Sequence, residues 1–160
     1  MTEKPSPRHD INPAIGAMLH SARDFLTHEH ALFSSLGLKP LLVGRGQTRF
    51  SFDVPGEFGD GDGSAHSGFL TIVLDSIMGL TVFTALEEFK PIATINLRTD
   101  YLDRAKCGVR AVCECRCLNI IDEIAFVHGE VATEEGGALI ATSAGAFIVG
   151  ARGAAKASRL

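Results

Sequence analysis

Hydrophobic residues change their spacing along the chain, and each change predicts a new element. Over residues 11–36 they recur every three to four positions, which is typical of a helix, and Gly37 follows as a helix stop. Over residues 41–54 polar and apolar positions alternate, which indicates one half-exposed strand. Residues 55–65 are rich in Gly and Asp and are expected to form a loop.

The second half of the chain combines one long apolar segment with four alternating segments. The apolar segment spans residues 67–89 and is predicted to be a helix, which Pro91 prevents from continuing. The alternating segments are predicted to be strands, and they cover residues 92–103, 109–118, 124–133 and 139–149. Because the connections between them are short, we expect the four strands to form an antiparallel meander.

The apolar helix determines the predicted fold class. A helix that is apolar on all sides needs cover on all sides, and a curled sheet wrapped around it supplies most of that cover. The chain is therefore expected to be an α+β protein with one domain over residues 11–150. Residues 1–10 are expected to be disordered, and residues 151–160 to form a frayed tail. Since residues 1–10 contain no apolar stretch of a signal peptide, we expect a cytoplasmic protein.

The apolar helix is also close to the minimum length of a membrane span. Residues 69–86 are mostly apolar, but they include Asp75. A carboxylate in the middle of a bilayer costs about 2.5–3.5 kcal/mol on insertion scales. The segment is followed by strand-like alternation rather than by a basic flank. These features favour a buried core helix, and no membrane partner is expected.

Composition restricts the partners of the chain. Its 160 residues carry a net charge of −4, and the sequence has no basic stretch suited to nucleic acid. Aromatic residues make up only 7%, while 46% of residues are hydrophobic, so aliphatic and small side chains form most of the core. A chain this short leaves much of its surface unburied, which is a hint of oligomerisation.

No metal site is predicted from the cysteines or from the acidic loop. Cys113, Cys115 and Cys117 alternate, so they share one face of a strand, but no fourth ligand has suitable spacing. We expect these thiols and Cys107 to be reduced, with the three alternating ones packed beneath the helix. Residues 60–64 resemble the start of a calcium loop but lack the Gly and Glu required at its sixth and twelfth positions.

The start of the apolar helix carries the strongest chemical signal. His66, Ser67 and Gly68 open it, and a helix N-terminus presents unpaired N–H groups with a partial positive charge. The N–H groups of Ser67 and Gly68 are therefore expected to donate to a developing oxyanion. Gly68 has no side chain, which lets a ligand approach the backbone closely.

Asp75 is the second signal, because it is the only ionisable side chain between His66 and Glu87. A lone carboxylate among apolar residues is costly unless it is hydrogen-bonded, neutralised or used in chemistry. One interpretation is a functional carboxylate. The other is a structural aspartate that bonds Thr71, one turn back.

The spacing of the two signals has a consequence for assembly. Eight residues of helix separate Ser67 from Asp75, a distance of about 12 Å. Both groups must lie about 3 Å from one reacting carbonyl, which a single copy of the helix does not easily allow. Two helices side by side around a two-fold axis do allow it, so we expect a homodimer with two shared sites.

The helix motif is followed by a second motif, ATINLRTDYL, at residues 93–102. Together the two motifs resemble the hotdog-fold acyl-CoA thioesterases, and most of all their phenylacetate-degradation branch, over roughly residues 40–150. The resemblance implies a five-stranded antiparallel sheet wrapped around the long helix, here with an additional N-terminal helix. It also implies dimers that often pair into tetramers, and hydrolysis of acyl-CoA thioesters. The CoA moiety is part of the substrate, and no separate cofactor is expected.

The resemblance further implies roles for individual residues. The carboxylate of Asp75 acts as general base or nucleophile, and the N–H of Ser67 polarises the thioester carbonyl. Thr94 helps to place the water or the substrate. His66 shapes the loop and supports the site.

Two positions depart from the pattern of that branch, which commonly has His-Gly-Gly and often has Asn six residues before the His. Here the middle residue is Ser67, which keeps a backbone donor, and the earlier position is Asp60. An ionised Asp60 near an oxyanion opposes it. We therefore expect Asp60 to point away, to be protonated, or to mark an unusual substrate.

The sequence predicts a thioesterase acting on an acyl- or aryl-CoA. Arg98, Arg104 and Lys106 are candidate ligands for the phosphates of CoA, with ordinary surface charges as the alternative. Two other functions stay open. One is a hotdog hydratase or dehydratase, in which His66 and an acid act on the α and β carbons. The other is a non-catalytic acyl-CoA-binding module, which has little use for Asp75.

Overall fold

The computed structural model describes residues 10–24 and 31–151, and it shows one antiparallel sheet curled around a long helix. The helices are α1 (Pro13–Asp24), α2 (Ala31–Leu36) and α3 (Gly68–Ala85). The strands are β1 (Lys39–Gly44), β2 (Gln47–Asp53), β3 (Ile92–Tyr101), β4 (Arg110–Ile121), β5 (Ile124–Thr133) and β6 (Leu139–Val149). The predicted α+β architecture, with a sheet around the long helix and a helix near the N-terminus, is confirmed.

Helix α3 forms the centre of the core because apolar residues cover most of its circumference. Ten of its 18 residues are buried, and Phe69 packs 6.1 Å from Phe52, measured between ring centroids. Among the described helices it is the one long and apolar enough to cross a membrane, and 56% of it is buried inside the fold. Its remaining face is not covered by the sheet: Ile72 is 44% exposed, and Asp75 and Ser76 are half-buried.

The strands are ordered β1-β2-β4-β5-β6-β3 across the sheet. Strands β4, β5 and β6 form a meander, but β3 pairs with β6 rather than with β4, so the predicted four-strand meander is wrong. The chain between β3 and β4 crosses the N-terminal end of α3 instead of turning back. There the N–H of Ala65 donates to the carbonyl oxygen of Ala105 at 2.7 Å, and Ser64 forms a bridge with Lys106. Strand β3 is therefore an edge strand.

The sheet has six strands rather than five, because the segment predicted as one strand over residues 41–54 is a hairpin. Strands β1 and β2 are joined by a two-residue turn at Arg45 and Gly46, with Gly44 opposite Gln47. Gly46 has a φ of +67°, a conformation that glycine adopts without steric cost. The alternation predicted for this region holds only in part of β2: Thr48 is buried and Arg49 is exposed, but Phe50, Ser51 and Phe52 are all buried.

Both predicted helices differ from the observed ones at their ends. The N-terminal prediction over residues 11–36 corresponds to α1 and α2, while residues 25–30 lie outside the described part of the chain. Helix α3 ends at Ala85 and not near residue 89, because Leu86 turns into an extended conformation and buries its side chain. The terminal segments predicted to be disordered or frayed lie outside the described residues, apart from Asp10 and Ala151.

The alternating cysteines lie on the face of β4 that packs beneath α3, as predicted. Cys113 and Cys115 are fully buried, with their sulfur atoms 3.6 Å apart, and Cys117 is half-buried. The hydrogen bond with Cys115 and then burial raise the pKa of Cys113, and burial raises the pKa of Cys117. All four cysteines are free thiols. The described residues contain no group of His, Cys, Asp and Glu that is arranged to hold a metal ion.

Candidate functional site

Asp75 and Thr94 meet where the middle of α3 passes edge strand β3. The hydroxyl of Thr94 donates a hydrogen bond to Oδ1 of Asp75 at 2.8 Å. The suggested bond between Asp75 and Thr71 is not formed, because the hydroxyl of Thr71 is 2.5 Å from the hydroxyl of Tyr101. Asp75 is thus a carboxylate with one charge-assisted hydrogen bond, and it faces a groove instead of the sheet.

This groove, which we call the Asp75 groove, lies between α3, the start of β3 and the two N-terminal helices. Its volume is about 510 Å³. Apart from Asp75, Ser76 and Thr94 its walls are apolar, and they include Met18, Leu19, Phe33, Gly79, Leu80, Phe83, Phe89, Ile92, Ala93 and Phe147. Phe83 and Phe89 stack with their ring centroids 5.5 Å apart. The groove therefore offers an apolar surface next to a single carboxylate.

Gly79 lies one helical turn after Asp75 and keeps the groove open. A Cβ at this position would lie 3.6 Å from Cδ1 of Ile92 and 3.8 Å from Cε1 of Phe147, which are ordinary contact distances. A small side chain would therefore fit, and a large one would extend into the groove. The sequence prediction did not include Gly79, although its place four residues after Asp75 was a usable signal.

The N-terminus of α3 presents one unpaired donor and not two. Ser67 occupies the N-cap position with φ −57° and ψ −32°, its side chain makes no capping hydrogen bond, and its N–H donates to no group within residues 10–24 and 31–151. The expectation for Gly68 is wrong, because its N–H donates to Nδ1 of His66 at 3.1 Å. His66 is itself held by a hydrogen bond from its N–H to the carbonyl oxygen of Phe58 at 2.7 Å. The imidazole thus caps the helix.

A second cavity, which we call the Ser67 cavity, opens beside this donor. It has a volume of about 540 Å³ and is lined by Asp60, Ala65, His66, Ser67, Leu70, Tyr101, Leu102, Asp103, Arg104 and Ala105. The guanidinium of Arg104 forms ion pairs with the carboxylates of Asp60 and Asp62. The N–H of Ser64 also donates a hydrogen bond to Oδ1 of Asp62 at 2.9 Å. Asp60 does not point away from the site, since it lines the cavity and its carboxylate is paired with Arg104.

The three candidate phosphate ligands do not lie together. Arg104 is engaged by carboxylates, as described. Arg98 pairs with Asp100, with Nη2 and Oδ1 3.0 Å apart, and lines neither of the two cavities. A bulge between Thr94 and Asn96 changes the register of β3, so that Arg98 lies on the opposite face of the strand from Thr94. Lys106 is exposed and forms no ion pair with the described residues.

The predicted site residues thus form two groups along one helix. Asp75 and Thr94 share the Asp75 groove, while Asp60, His66, Ser67 and Arg104 share the Ser67 cavity. The two groups are about 12 Å apart along the helix axis, since eight residues separate Ser67 from Asp75. Within one chain they do not converge on a single point.

Comparison with family models finds a match over about half of the chain. Residues 62–140 match the family model of the thioesterase superfamily. The chain has the hotdog fold of this superfamily. The matched segment contains the helix motif, Asp75 and the second motif, so it includes most residues of both groups.

Solved structures of thioesterases and related proteins share the fold. A mutant of the phenylacetic acid degradation protein PaaI from Thermus thermophilus is 29% identical, with a TM-score of 0.63, and the match covers 72% of this chain and 95% of that one. Thioesterase superfamily member 2 from zebrafish is 16% identical, with a TM-score of 0.73 and coverage of 84% and 97%. A hypothetical thioesterase from Streptococcus pneumoniae, solved with coenzyme A, is 18% identical, with a TM-score of 0.64 and coverage of 70% and 87%. No curated protein sequence matches the chain significantly.

Proposed function

We propose that this chain hydrolyses acyl- or aryl-CoA thioesters to a free acid and CoA. The observation that carries the proposal is the Asp75 carboxylate, which is hydrogen-bonded by Thr94 and exposed to an apolar groove on the central helix. The one hydrogen bond from Thr94 leaves most lone-pair sites of this carboxylate free for a water molecule or a substrate. The match to the thioesterase superfamily supports this reaction class, and the pneumococcal protein of the same fold was solved with coenzyme A.

Asp75 acts on the reaction as a base or as a nucleophile. As a base it takes a proton from water while the water oxygen bonds to the thioester carbon; the C–S bond then breaks, and the CoA thiolate leaves and is protonated. As a nucleophile it bonds to that carbon itself, expels the thiolate, and is released when water cleaves the resulting anhydride. In both routes the hydroxyl of Thr94 orients the carboxylate at 2.8 Å.

The negative charge that develops on the carbonyl oxygen is stabilised by the N–H of Ser67 and by the dipole of α3. Because this donor lies about 12 Å from Asp75 in the same chain, it comes from a second copy. The face of α3 that carries Ile72 and Asp75 is uncovered by the sheet, and the adjacent edge strand β3 exposes 51% of Ile95. A homodimer formed on this side covers these residues, and two such dimers pair into a tetramer.

The acyl or aryl group lies in the Asp75 groove. Its apolar walls match an aliphatic or aromatic substrate, and its volume of about 510 Å³ is within the range of small-molecule sites. The stacked rings of Phe83 and Phe89 favour an aryl group, since aromatic pairs gain about 0.5–1.5 kcal/mol beyond area burial. The four free thiols are consistent with a cytoplasmic protein, which we propose as its location.

The Asp75 groove disfavours a purely binding function. A non-catalytic binding module has no need of an anion in an apolar groove that also faces the anionic substrate.

The proposal is tested with a set of short-chain, long-chain and aromatic CoA esters, with release of the free thiol as the measurement. We expect hydrolysis of at least one class by the wild type and a loss of about 10³-fold or more in Asp75→Asn, with the oligomer intact. Asp122→Asn is the matched control, because Asp122 lies in the β4–β5 turn at φ +53°, where asparagine is well tolerated. Absence of hydrolysis with every ester, or full activity of Asp75→Asn, would contradict the proposal.

A further inference from the structure

Arg104 forms two ion pairs at the Ser67 cavity. Its Nη2 pairs with Oδ2 of Asp60, and its Nη1 pairs with Oδ2 of Asp62. The two contacts use both ends of the guanidinium, so its single positive charge lies between two carboxylates. In this arrangement both Nη atoms of Arg104 are engaged by carboxylates.

Backbone hydrogen bonds hold the two halves of this arrangement together. The acidic loop and the crossover from β3 to β4 are joined by the bond from Ala65 to Ala105 and by one from the N–H of Cys107 to the carbonyl oxygen of Gly63 at 3.0 Å. Within the loop, the N–H of Asp60 donates to the carbonyl oxygen of Ser64 at 2.9 Å. These backbone hydrogen bonds therefore hold the segment that carries Arg104 next to the loop that carries Asp60.

The two carboxylates differ in their relation to the proposed oxyanion donor. Asp60 lines the Ser67 cavity and its side chain is 29% exposed, whereas Asp62 does not line the cavity and is 48% exposed. An unpaired anion at Asp60 would oppose the negative charge that develops next to the N–H of Ser67. Asp103 also lines the cavity, and its carboxylate accepts the N–H of Arg104 at 2.7 Å.

We infer that Arg104 is a positioning residue that pairs with Asp60 and offsets its charge beside the oxyanion donor at Ser67, and not a ligand of the substrate phosphates. This role rests on the proposed thioesterase function. This role explains why an acidic residue is tolerated at position 60. The crossover from β3 to β4 places the guanidinium of Arg104, 44 residues later in the chain, next to the carboxylate of Asp60. Arg104 then acts through Asp60, and it affects the transition state more than substrate binding.

The inference is tested by comparing Arg104→Ala in three backgrounds, with kcat and KM measured on the best CoA ester. We expect Arg104→Ala alone to lower kcat about tenfold with little change in KM. Adding Asp60→Asn removes the opposing charge and should restore kcat to within about threefold of the wild type. Adding Asp62→Asn instead is the matched control and should restore little, because that carboxylate lies outside the cavity.

The outcomes distinguish this role of Arg104 from binding of the substrate phosphates and from support of the loop structure. A rise in KM without loss of kcat would assign Arg104 to substrate phosphates, and equal failure of both double variants to recover would assign it to loop structure; either result overturns the inference. Thermal unfolding and gel filtration verify that the variants are folded, and Arg104→Gln replaces Arg104→Ala if the alanine variant is not. An active wild type with an unaffected Arg104→Ala overturns only this role. A wild type that hydrolyses no ester overturns the proposed function and this role with it.

Discussion

The Asp75 groove and the Ser67 cavity lie along the same helix but differ in their chemistry. In the groove one carboxylate faces apolar walls, with the hydroxyl of Thr94 as its hydrogen-bond donor. In the cavity several charged side chains line the wall, and Arg104 is paired with two carboxylates. The groove thus holds one charge in apolar surroundings, and the cavity holds charges of both signs in contact with each other.

The difference indicates how the two regions divide the proposed reaction. A carboxylate in apolar surroundings is suited to attack or to proton transfer, while a free N–H at a helix N-terminus is suited to accept new negative charge. Neither region contains both functions, and about 12 Å of helix separates them. A complete site therefore needs the carboxylate of one chain and the N–H donor of a second chain.

Among changes that leave Asp75 and Ser67 in place, the largest effect is expected on the groove side, from removal of the hydroxyl that holds Asp75. Thr94→Val keeps the shape of the side chain but deletes a hydrogen bond to a charged group, which is worth about 1.5–3 kcal/mol. We expect kcat/KM to fall about 10- to 100-fold. Thr94→Ser keeps the hydroxyl and should retain most activity. Equal losses in both variants would show that the hydroxyl is not what matters.

A smaller and more selective effect is expected from filling the groove. Gly79→Leu extends a side chain past Ile92 and Phe147, so it should reduce kcat/KM for long-chain or aryl esters about tenfold relative to acetyl-CoA. Gly79→Ala adds only a methyl group at ordinary contact distances and should shift this ratio less. An unchanged ratio in Gly79→Leu would place the acyl group outside the groove.

The smallest effect is expected from an ion pair outside both regions. Arg110 donates from Nε and Nη2 to the carboxylate of Asp53 at 2.9 and 3.2 Å, and this hydrogen bonding lowers the pKa of Asp53. Because the pKa is lower in the folded than in the unfolded chain, the pair stabilises the fold at neutral pH, and this stabilisation is lost as the pH falls through the folded-state pKa.

Urea unfolding of Asp53→Asn at neutral and acidic pH measures this contribution. The variant should lose at most about 1 kcal/mol at neutral pH, since the pair is exposed, and should converge with the wild type in acid. Hydrolysis at neutral pH should not change. A marked loss of activity would mean that charge outside the two regions also acts on the site.

The sequence predicted the positions of the helices and strands along the chain better than which strands pair with each other. The apolar run over α3 has one explanation in an α+β chain, so its position was predictable. The place of β3 was not, because a connection of about eight residues fits both a hairpin and a crossover. The β1–β2 turn was hidden because alternation continues through Arg45, and Gly46 was its one local signal.

For the site, the sequence identified groups that differ from their local surroundings. Asp75 stood out as a lone charge, and Ser67 as the start of a helix. The pairing of Arg104 with Asp60 joins positions 44 residues apart, and the bond of Gly68 to His66 depends on a side-chain rotation. Such contacts follow from the topology and from packing, so no local pattern reveals them.

The shared site is tested most directly by mixing two inactive variants. Ser67→Pro removes the N–H donor, and the observed φ of −57° at the helix start is one that proline adopts. Asp75→Asn removes the carboxylate. Each variant alone should be nearly inactive. In a dimer of one chain of each, one site joins the intact Ser67 of one chain to the intact Asp75 of the other.

Co-expression with differently tagged chains, followed by isolation of the mixed dimer, gives the measurement. The account predicts that the mixed dimer regains about half of the wild-type kcat, because one of its two sites is complete. If each chain carried its own complete site, every site in the mixed dimer would lack one group. A mixed dimer as inactive as its parents would contradict the account.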